Sequence, residues 1–106
     1  MKVHRFPTRS GPYEVSAAPI LDVAPVSQAM VGLCYFGEGR RSPESGMRIS
    51  GATELGYVVR GRLRIDTADA QFEVRAGDVL TSSPTEPHCT TALEDSEIFF
   101  VLLDPV

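Results

Sequence analysis

Two short segments of alternating polarity, only four residues apart, limit what this chain can fold into. Residues 62–66 read RLRID, residues 71–75 read QFEVR, and TADA lies between them. Alternation with a period of two is typical of a strand with one buried face, and a four-residue connection fits a β-hairpin. The pairs predicted across this hairpin are Leu63 with Val74, Ile65 with Phe72, and the opposite charges Arg64 with Glu73.

The rest of the chain offers short strands rather than helices. Prolines punctuate the first quarter and exclude long helices there. Residues 27–36, SQAMVGLCYF, are the first sustained apolar run, and a polar loop follows at residues 37–46. We find no convincing amphipathic helix. Many short strands with frequent turn signals indicate an all-β sandwich or barrel.

Two segments are apolar on both faces, namely residues 54–60 and residues 96–103. A strand of this kind is covered on both sides, and a single small domain supplies only one cover from its own core. We predict that a second copy of the chain supplies the other, which makes the protein a homodimer. The alternative is that these strands lie centrally under a loop.

Composition narrows the class of protein and of partner. With 106 residues the chain has the size of one domain, and its net charge of −4 argues against nucleic acid or an anionic membrane as partner. No apolar run is long enough to span a bilayer, and the first residues lack the apolar core of a signal peptide. We therefore expect a cytoplasmic protein in which Cys34 and Cys89 are free thiols.

One ordered stretch, GDVLTSSPTEPH at residues 77–88, resembles the second sequence motif of the cupins. Gly77, Asp78, Pro84 and His88 fall at the family's spacing, whereas Thr85 replaces the usual glycine after the proline. Upstream, ELGYVVRG resembles the end of the first cupin motif, a glutamate and a glycine with six residues between them. These two positions are Glu54 and Gly61.

The resemblance implies an all-β fold, the double-stranded β-helix, which is a jelly-roll or cupin-like barrel. It places residues 1–106 in a single cupin-like domain, with an N-terminal extension of short strands at residues 1–26 and the barrel core at residues 27–106. Cupins are often dimeric, which agrees with the two-faced strands. The Gly77-Asp78 pair is expected to form a tight turn in which Asp78 bonds backbone amides.

The same resemblance weakens the case for a metal. Metal-binding cupins carry a His-x-His pair before the glutamate, and this chain has Arg48 and Ser50, or Met47 and Ile49, at those places. A permanent positive charge at Arg48 opposes a cation. Cys89 neighbours His88 and should point to the opposite face of its strand, and Cys34 is only an outside candidate. No cofactor is therefore predicted; if a divalent metal binds, Glu54 and His88 are its ligands.

A polar pocket without a full metal site is the alternative that we favour. His88 exchanges a proton near neutral pH, and Glu54 can orient it or serve as a second base, so these two are the candidate catalytic residues. Arg48 can bind a carboxylate or phosphate through its planar fork, Ser50 shares its strand parity, and Gly56 leaves room for a ligand. The expected partner is a small anionic or carbonyl-containing molecule.

These observations predict a cupin-type enzyme that moves protons, in an isomerisation, cyclisation or elimination. One rival is a metal-dependent cupin enzyme such as a dioxygenase, and another is a non-catalytic ligand-binding or interaction module. Plain structural roles also remain open. Arg48 can be a solvated loop residue or the salt-bridge partner of Glu54, His88 can simply end a turn, and Tyr57, Phe99 and Phe100 can be core or dimer contacts.

Overall fold

A computed structural model describes residues 1–8 and 10–106 of the chain, and this described part contains nine strands and no helix. The strands are β1 Lys2–Arg5, β2 Val26–Phe36, β3 Arg41–Ser42, β4 Thr53–Arg60, β5 Arg62–Thr67, β6 Gln71–Arg75, β7 Asp78–Ser82, β8 His88–Ala92 and β9 Ser96–Pro105. Within these residues, no helix is long and apolar enough to cross a membrane.

The strands form two antiparallel sheets that face each other. Five strands make the larger sheet in the order β1-β7-β4-β9-β2, and four make the smaller one in the order β3-β8-β5-β6. Neighbours in each sheet are mostly distant in sequence, as the crossing connections of a jelly roll require. The all-β prediction is therefore confirmed.

The hairpin of β5 and β6 has the predicted register. Leu63 pairs with Val74 and Ile65 pairs with Phe72, so one face of the hairpin is apolar. Leu63, Ile65 and Val74 are buried almost completely, because this face packs against the larger sheet. Local alternation was sufficient to fix both the pairing and the buried face.

The charged side chains of the hairpin pair differently from the prediction. Arg64 does lie opposite Glu73, but its guanidinium contacts Asp66, with 3.4 Å between Nε and Oδ2. Glu73 instead pairs diagonally with Arg62, at 2.9 Å between Nη1 and Oε1. Diagonal neighbours are within reach of long side chains, so register alone does not decide which charges meet.

The core lies between the sheets and draws on both. Val58 of β4 and Ile98 of β9 come from the larger sheet, and they meet the buried hairpin residues of the smaller sheet. The full cluster consists of Phe36, Val58, Leu63, Ile65, Val74, Leu80, Ala92 and Ile98. Such a continuous apolar layer holds the two sheets face to face.

The turn from β4 to β5, where the chain passes from one sheet to the other, depends on Gly61. Its φ is +90°, a conformation that favours glycine. A Cβ at this position would lie 2.5 Å from the carbonyl oxygen of Asp95 and 2.6 Å from Cα of Ser96. Ser96 is fully buried here, and its hydroxyl accepts from the N–H of Arg62 at 3.0 Å and contacts the Glu94 carbonyl oxygen at 2.8 Å.

The turn before β7 has the predicted geometry and an additional partner. Gly77 has φ +94°, and the buried Asp78 carboxylate accepts from the N–H of Arg75 at 2.9 Å. Arg5 of β1 donates to both carboxylate oxygens, at 2.6 and 2.9 Å. Burial works to raise the pKa of Asp78, but the hydrogen bonds and positive charges of Arg5 and Arg75 outweigh it and hold that pKa below its ordinary value.

The outer face of the larger sheet is apolar and only partly covered. Pro19 and Ile20 line a small cavity together with Val79 of β7, so the N-terminal segment covers that side. Over β2, β4 and β9 the outward side chains remain exposed among the described residues. They include Val31, Leu33, Tyr35, Tyr57, Val59 and Phe99.

Candidate functional site

A cavity of about 400 Å³ lies between the two sheets. All five residues that the sequence predicts for a site line this single cavity. They are Arg48, Ser50, Glu54, Gly56 and His88. Its volume falls within the range of small-molecule sites, which is roughly 300–1,000 Å³.

Glu54 and His88 approach each other from opposite sheets. Glu54 is the second residue of β4, and His88 is the first residue of β8. The distance between Glu54 Oε2 and His88 Nε2 is 3.7 Å, which is too long for a direct hydrogen bond but suits a charge contact once the imidazole is protonated. The two side chains thus form an acid–base pair that faces the cavity.

The ring of His88 is buried, and its Nδ1 edge contacts a backbone carbonyl. Its Nδ1 lies 3.2 Å from the carbonyl oxygen of Glu86. A carbonyl only accepts, so we assign the proton of the neutral imidazole to Nδ1 on the basis of this contact. The lone pair of Nε2 is then directed toward Glu54 and the cavity, where it can take a proton from a bound molecule.

Arg48 is paired with His88 through the backbone. The N–H of Arg48 donates to the His88 carbonyl at 2.9 Å, and the N–H of His88 donates to the Arg48 carbonyl at 3.1 Å. Residues paired in this way project their side chains on the same side, and both line the cavity. Among the described residues, the ion pair of Glu54 is with His88, and Arg48 forms none. The guanidinium therefore remains available to an anionic ligand.

The segment around Ser50 is a bend rather than a strand, so the parity argument does not hold there. Ile49 also lines the cavity, although it is adjacent to both Arg48 and Ser50. The Ser50 hydroxyl donates to the Ala52 carbonyl at 2.8 Å and accepts from the Ala52 N–H at 3.3 Å. Ser50 thus shapes the wall of the cavity, and its hydroxyl is already used by the bend.

Gly56 lies in the cavity wall beside Ile98 and Leu80. A Cβ at Gly56 would lie 3.4 Å from Cγ2 of Ile98 and 3.7 Å from Cδ1 of Leu80, which are ordinary contact distances. An alanine would therefore fit, but its methyl group would occupy part of the cavity.

Ser82 belongs to the cavity and was missed from the sequence. It ends β7 directly opposite Glu54, and its side chain lines the same cavity. Ser82 is 6% exposed, and its hydroxyl has no hydrogen-bond partner among the described residues. The sequence signal that could have identified Ser82 was a polar residue on the inward side of a buried strand.

Phe100 packs against the hydrophobic core, as one interpretation predicted, and it also lines the cavity, whereas its neighbour Phe99 faces outward. The Phe100 ring lies against Gly32 of β2, where a Cβ would be only 2.8 Å and 2.9 Å from two of the ring carbons. Glycine at position 32 therefore lets the ring lie close to the sheet and keeps the cavity open.

The two thiols lie in different environments, and both are free. Cys34 lines the cavity, where burial raises the pKa of its thiol and the positive charge of Arg48 opposes part of the rise. Cys89 lies on the other side of β8, with its Sγ 3.2 Å from Nη2 of Arg41, and does not line the cavity. The prediction that Cys89 points away from His88 is confirmed.

The side chains at the cavity do not make a convincing metal site. Nowhere in the described part of the chain do three His, Cys, Asp or Glu side chains come together as a ligand set. Glu54 and His88 supply two donors, Cys34 lines the same cavity without joining them as a third ligand, and Arg48 lies beside His88 with its positive charge. Since zinc and iron sites generally have at least three protein ligands, we derive no step through a metal.

Comparison with known proteins identifies related folds. A family model described as a cupin domain matches residues 38–103. A cupin superfamily protein from Desulfitobacterium hafniense is 15% identical, with 79% of this chain and 74% of that chain covered and a TM-score of 0.66. No curated protein sequence matches the chain.

Two further solved structures have similar folds. KdgF from a Halomonas species is 20% identical, with 74% of this chain and 71% of that chain covered and a TM-score of 0.64. A variant of salicylate 1,2-dioxygenase from Pseudoaminobacter salicylatoxidans is 12% identical and has a TM-score of 0.63. Its comparison covers 70% of this chain but only 21% of the dioxygenase. At these identities the similarity shows the fold alone.

Proposed function

The chain belongs to the cupin family, and on that premise we propose that it is a small-molecule enzyme in which His88 and Glu54 transfer protons without a full metal site. The observation that carries this proposal is that Glu54 and His88 meet across the cavity, beside Arg48, which forms no ion pair among the residues that the structure describes. The reaction class is isomerisation, cyclisation or elimination, each of which begins with removal of a proton.

His88 is the proposed general base. Its Nε2 takes a proton from the bound molecule, and the imidazolium that forms is stabilised by the Glu54 carboxylate at 3.7 Å. The Glu86 carbonyl keeps the ring oriented throughout, because Nδ1 carries its proton in both states. Return of the proton from Nε2 to another atom of the ligand completes an isomerisation.

Arg48 is the proposed anchor. Its guanidinium binds the anionic group of the ligand in a bidentate manner, and its backbone pairing with His88 fixes the distance between anchor and base. Ser50 and Gly56 shape the wall and leave room for the ligand.

Solvent deuterium exchange tests the proton transfer. Pyruvate and phenylpyruvate incubated in D₂O should exchange the hydrogens next to the carbonyl faster with protein than with buffer, as measured by ¹H NMR. A general base contributes about 10²–10⁴-fold, so His88→Gln should lower the rate by a factor in that range. His4→Gln is the matched control, because the only other histidine lies on β1 outside this cavity. Equal exchange by the wild type and His88→Gln would refute the role of His88.

Metal analysis separates this proposal from its first rival, a metal-dependent cupin enzyme such as a dioxygenase. The protein is purified without chelator, and its iron, manganese, nickel and zinc are measured. We expect less than stoichiometric metal. Stoichiometric metal that is lost in both Glu54→Gln and His88→Gln would establish those residues as ligands and overturn the metal-free mechanism.

The outer face of the larger sheet supports a homodimer. Six exposed apolar side chains on β2, β4 and β9 offer about 600 Å², close to the ~800 Å² per partner that a stable interface buries. A second copy fits this face because a two-fold interface must complement itself, and Arg60 and Glu97 supply both charges beside Tyr35. We propose this homodimer as the working form, in the cytoplasm, whose reducing conditions suit the two free thiols.

Sedimentation velocity tests the dimer. The wild type should sediment at twice the 11.5 kDa of the chain, and Leu33→Asp should sediment as a monomer with an unchanged circular dichroism spectrum. Val15→Asp is the matched control, since Val15 is similarly exposed in the N-terminal segment. A monomeric wild type, or a Leu33→Asp variant that stays dimeric, would rule out this interface.

A further inference from the structure

The cavity has one apolar side and one polar side, and this division constrains the ligand. The apolar side is formed by Phe36, Ile65, Leu80, Ile98 and Phe100. The polar side carries Arg48, Glu54, Ser82 and His88. A ligand that fills this space must combine an apolar body with polar groups at one end, because either part alone leaves half of the cavity wall unmatched.

Ser82 indicates that the polar end carries an oxygen beyond the anionic group. Its buried hydroxyl has no partner among the described residues, and leaving a buried polar group unsatisfied is unfavourable. Ser82 is paired with Glu54 across β4 and β7, so both side chains face the ligand from adjacent positions. A hydroxyl or carbonyl oxygen of the ligand would satisfy Ser82 next to the base.

Arg48 indicates that the other polar group is a carboxylate. Arg48 is exposed and forms no ion pair among the described residues, and its backbone is held beside that of His88 by two hydrogen bonds. The planar fork matches a carboxylate. The cavity volume of about 400 Å³ accommodates roughly a dozen non-hydrogen atoms, at the ~30 Å³ that each water occupies in the liquid.

We propose that the ligand is a 2-hydroxy or 2-oxo carboxylate with an apolar, ring-sized or branched body. The carboxylate binds Arg48, the 2-oxygen contacts Ser82, and the body packs on Phe100 and its apolar neighbours. This assignment rests on the proposed function, because it places C3 of a 2-oxo acid, the carbon beside the carbonyl, near Nε2 of His88. In a 2-oxo acid the hydrogens beside the carbonyl are acidic enough for His88 to remove.

Calorimetry with a matched set of probes tests this assignment. The probes are 3-phenyllactate, its neutral amide, 3-phenylpropionate, which lacks the hydroxyl, and lactate, which lacks the ring. We expect 3-phenyllactate to bind most tightly, with a Kd about tenfold or more below that of each other probe. Equal affinity for 3-phenyllactate and lactate, or no measurable binding of 3-phenyllactate, would overturn the proposal.

Two variants assign the contacts. Ser82→Ala should remove the preference for 3-phenyllactate over 3-phenylpropionate and keep the preference over the amide. Arg48→Gln should remove the preference for 3-phenyllactate over its amide and keep the preference over 3-phenylpropionate. If neither variant changes its own preference, the assignment of these residues is wrong.

His88→Gln separates the ligand class from the catalytic proposal. It should retain binding of 3-phenyllactate within a few-fold, while losing deuterium exchange into phenylpyruvate. Selective binding without exchange by the wild type refutes the enzyme and leaves the ligand class intact. Exchange into pyruvate without selective binding of 3-phenyllactate refutes the ligand class and leaves the proposed enzyme intact.

Discussion

Replacement of Gly61 by alanine should be the most damaging glycine substitution in the fold, and its cost follows from two separate terms. The φ of +90° costs a residue with a Cβ about 1–2 kcal/mol. The new methyl group would lie 2.5–2.6 Å from backbone atoms of Asp95 and Ser96, which adds about 1–3 kcal/mol of overpacking. Alanine also restricts the unfolded chain, which offsets about 0.4–1 kcal/mol, so the net loss is about 1–5 kcal/mol.

A graded pair of controls separates these terms. Gly77 has φ +94° but no atom within 4 Å of its Cβ position, so Gly77→Ala should lose only about 1 kcal/mol. Gly37 has neither a positive φ nor a neighbour within 4 Å, so Gly37→Ala should be neutral or stabilising by up to about 1 kcal/mol.

Urea denaturation followed by circular dichroism measures the series. The free energy of unfolding of Gly37→Ala should equal or exceed that of the wild type. That of Gly77→Ala should be lower, and that of Gly61→Ala should be the lowest, with similar m values throughout. A small domain has only about 5–15 kcal/mol of stability, so Gly61→Ala should move the midpoint visibly. If Gly61→Ala costs no more than Gly77→Ala, then the steric part of the reasoning is refuted.

Three further outcomes follow from the structure. Asp78→Asn should lower the free energy of unfolding at pH 7 by about 1–2 kcal/mol. Since the folded-state pKa of Asp78 is lowered, its contribution is present above the unfolded pKa and lost as pH falls through the folded value; urea titrations from pH 7 to 3 should therefore show the difference shrinking. Alkylation of Cys34 by iodoacetamide should slow in Arg48→Gln, because that variant removes the charge that opposes the raised thiol pKa; an unchanged rate at pH 7.5 would contradict this influence. Leu63→Ala should cost about 2–5 kcal/mol by thermal or urea unfolding, whereas Leu33→Ala on the exposed face should cost under about 1 kcal/mol in the monomer.

Local patterns predicted much of the fold, because their causes are local. The alternation of β5 and β6 determined their register, and the spacing of Gly77, Asp78 and His88 indicated the second motif. The turn geometry of Gly77 and the outward orientation of Cys89 followed from the same short-range rules. Each of these features is determined by residues that lie close together in the sequence.

Features that depend on distant pairings could not be predicted in the same way. Strand β9 is apolar on both faces, so its sequence does not reveal that Phe100 faces the cavity. Arg5 meets Asp78 only because β1 joins the sheet beside β7, a partnership that spans most of the chain. Alternation along a strand could not predict the orientation of Ser50 relative to Arg48, because Ser50 lies in a bend and alternation applies only within a strand.

The buried hydroxyl of Ser96 has a consequence for insertions and deletions in β9. A slip of one residue would exchange the inward set Ile98, Phe100 and Leu102 for Phe99, Val101 and Leu103, which are equally apolar. Hydrophobicity therefore barely distinguishes the correct alignment from its neighbours. Ser96 does distinguish them, because only the native alignment places its hydroxyl against the backbone of Arg62. The first residue of β9 thus determines the register of the strand that separates the cavity from the outer face.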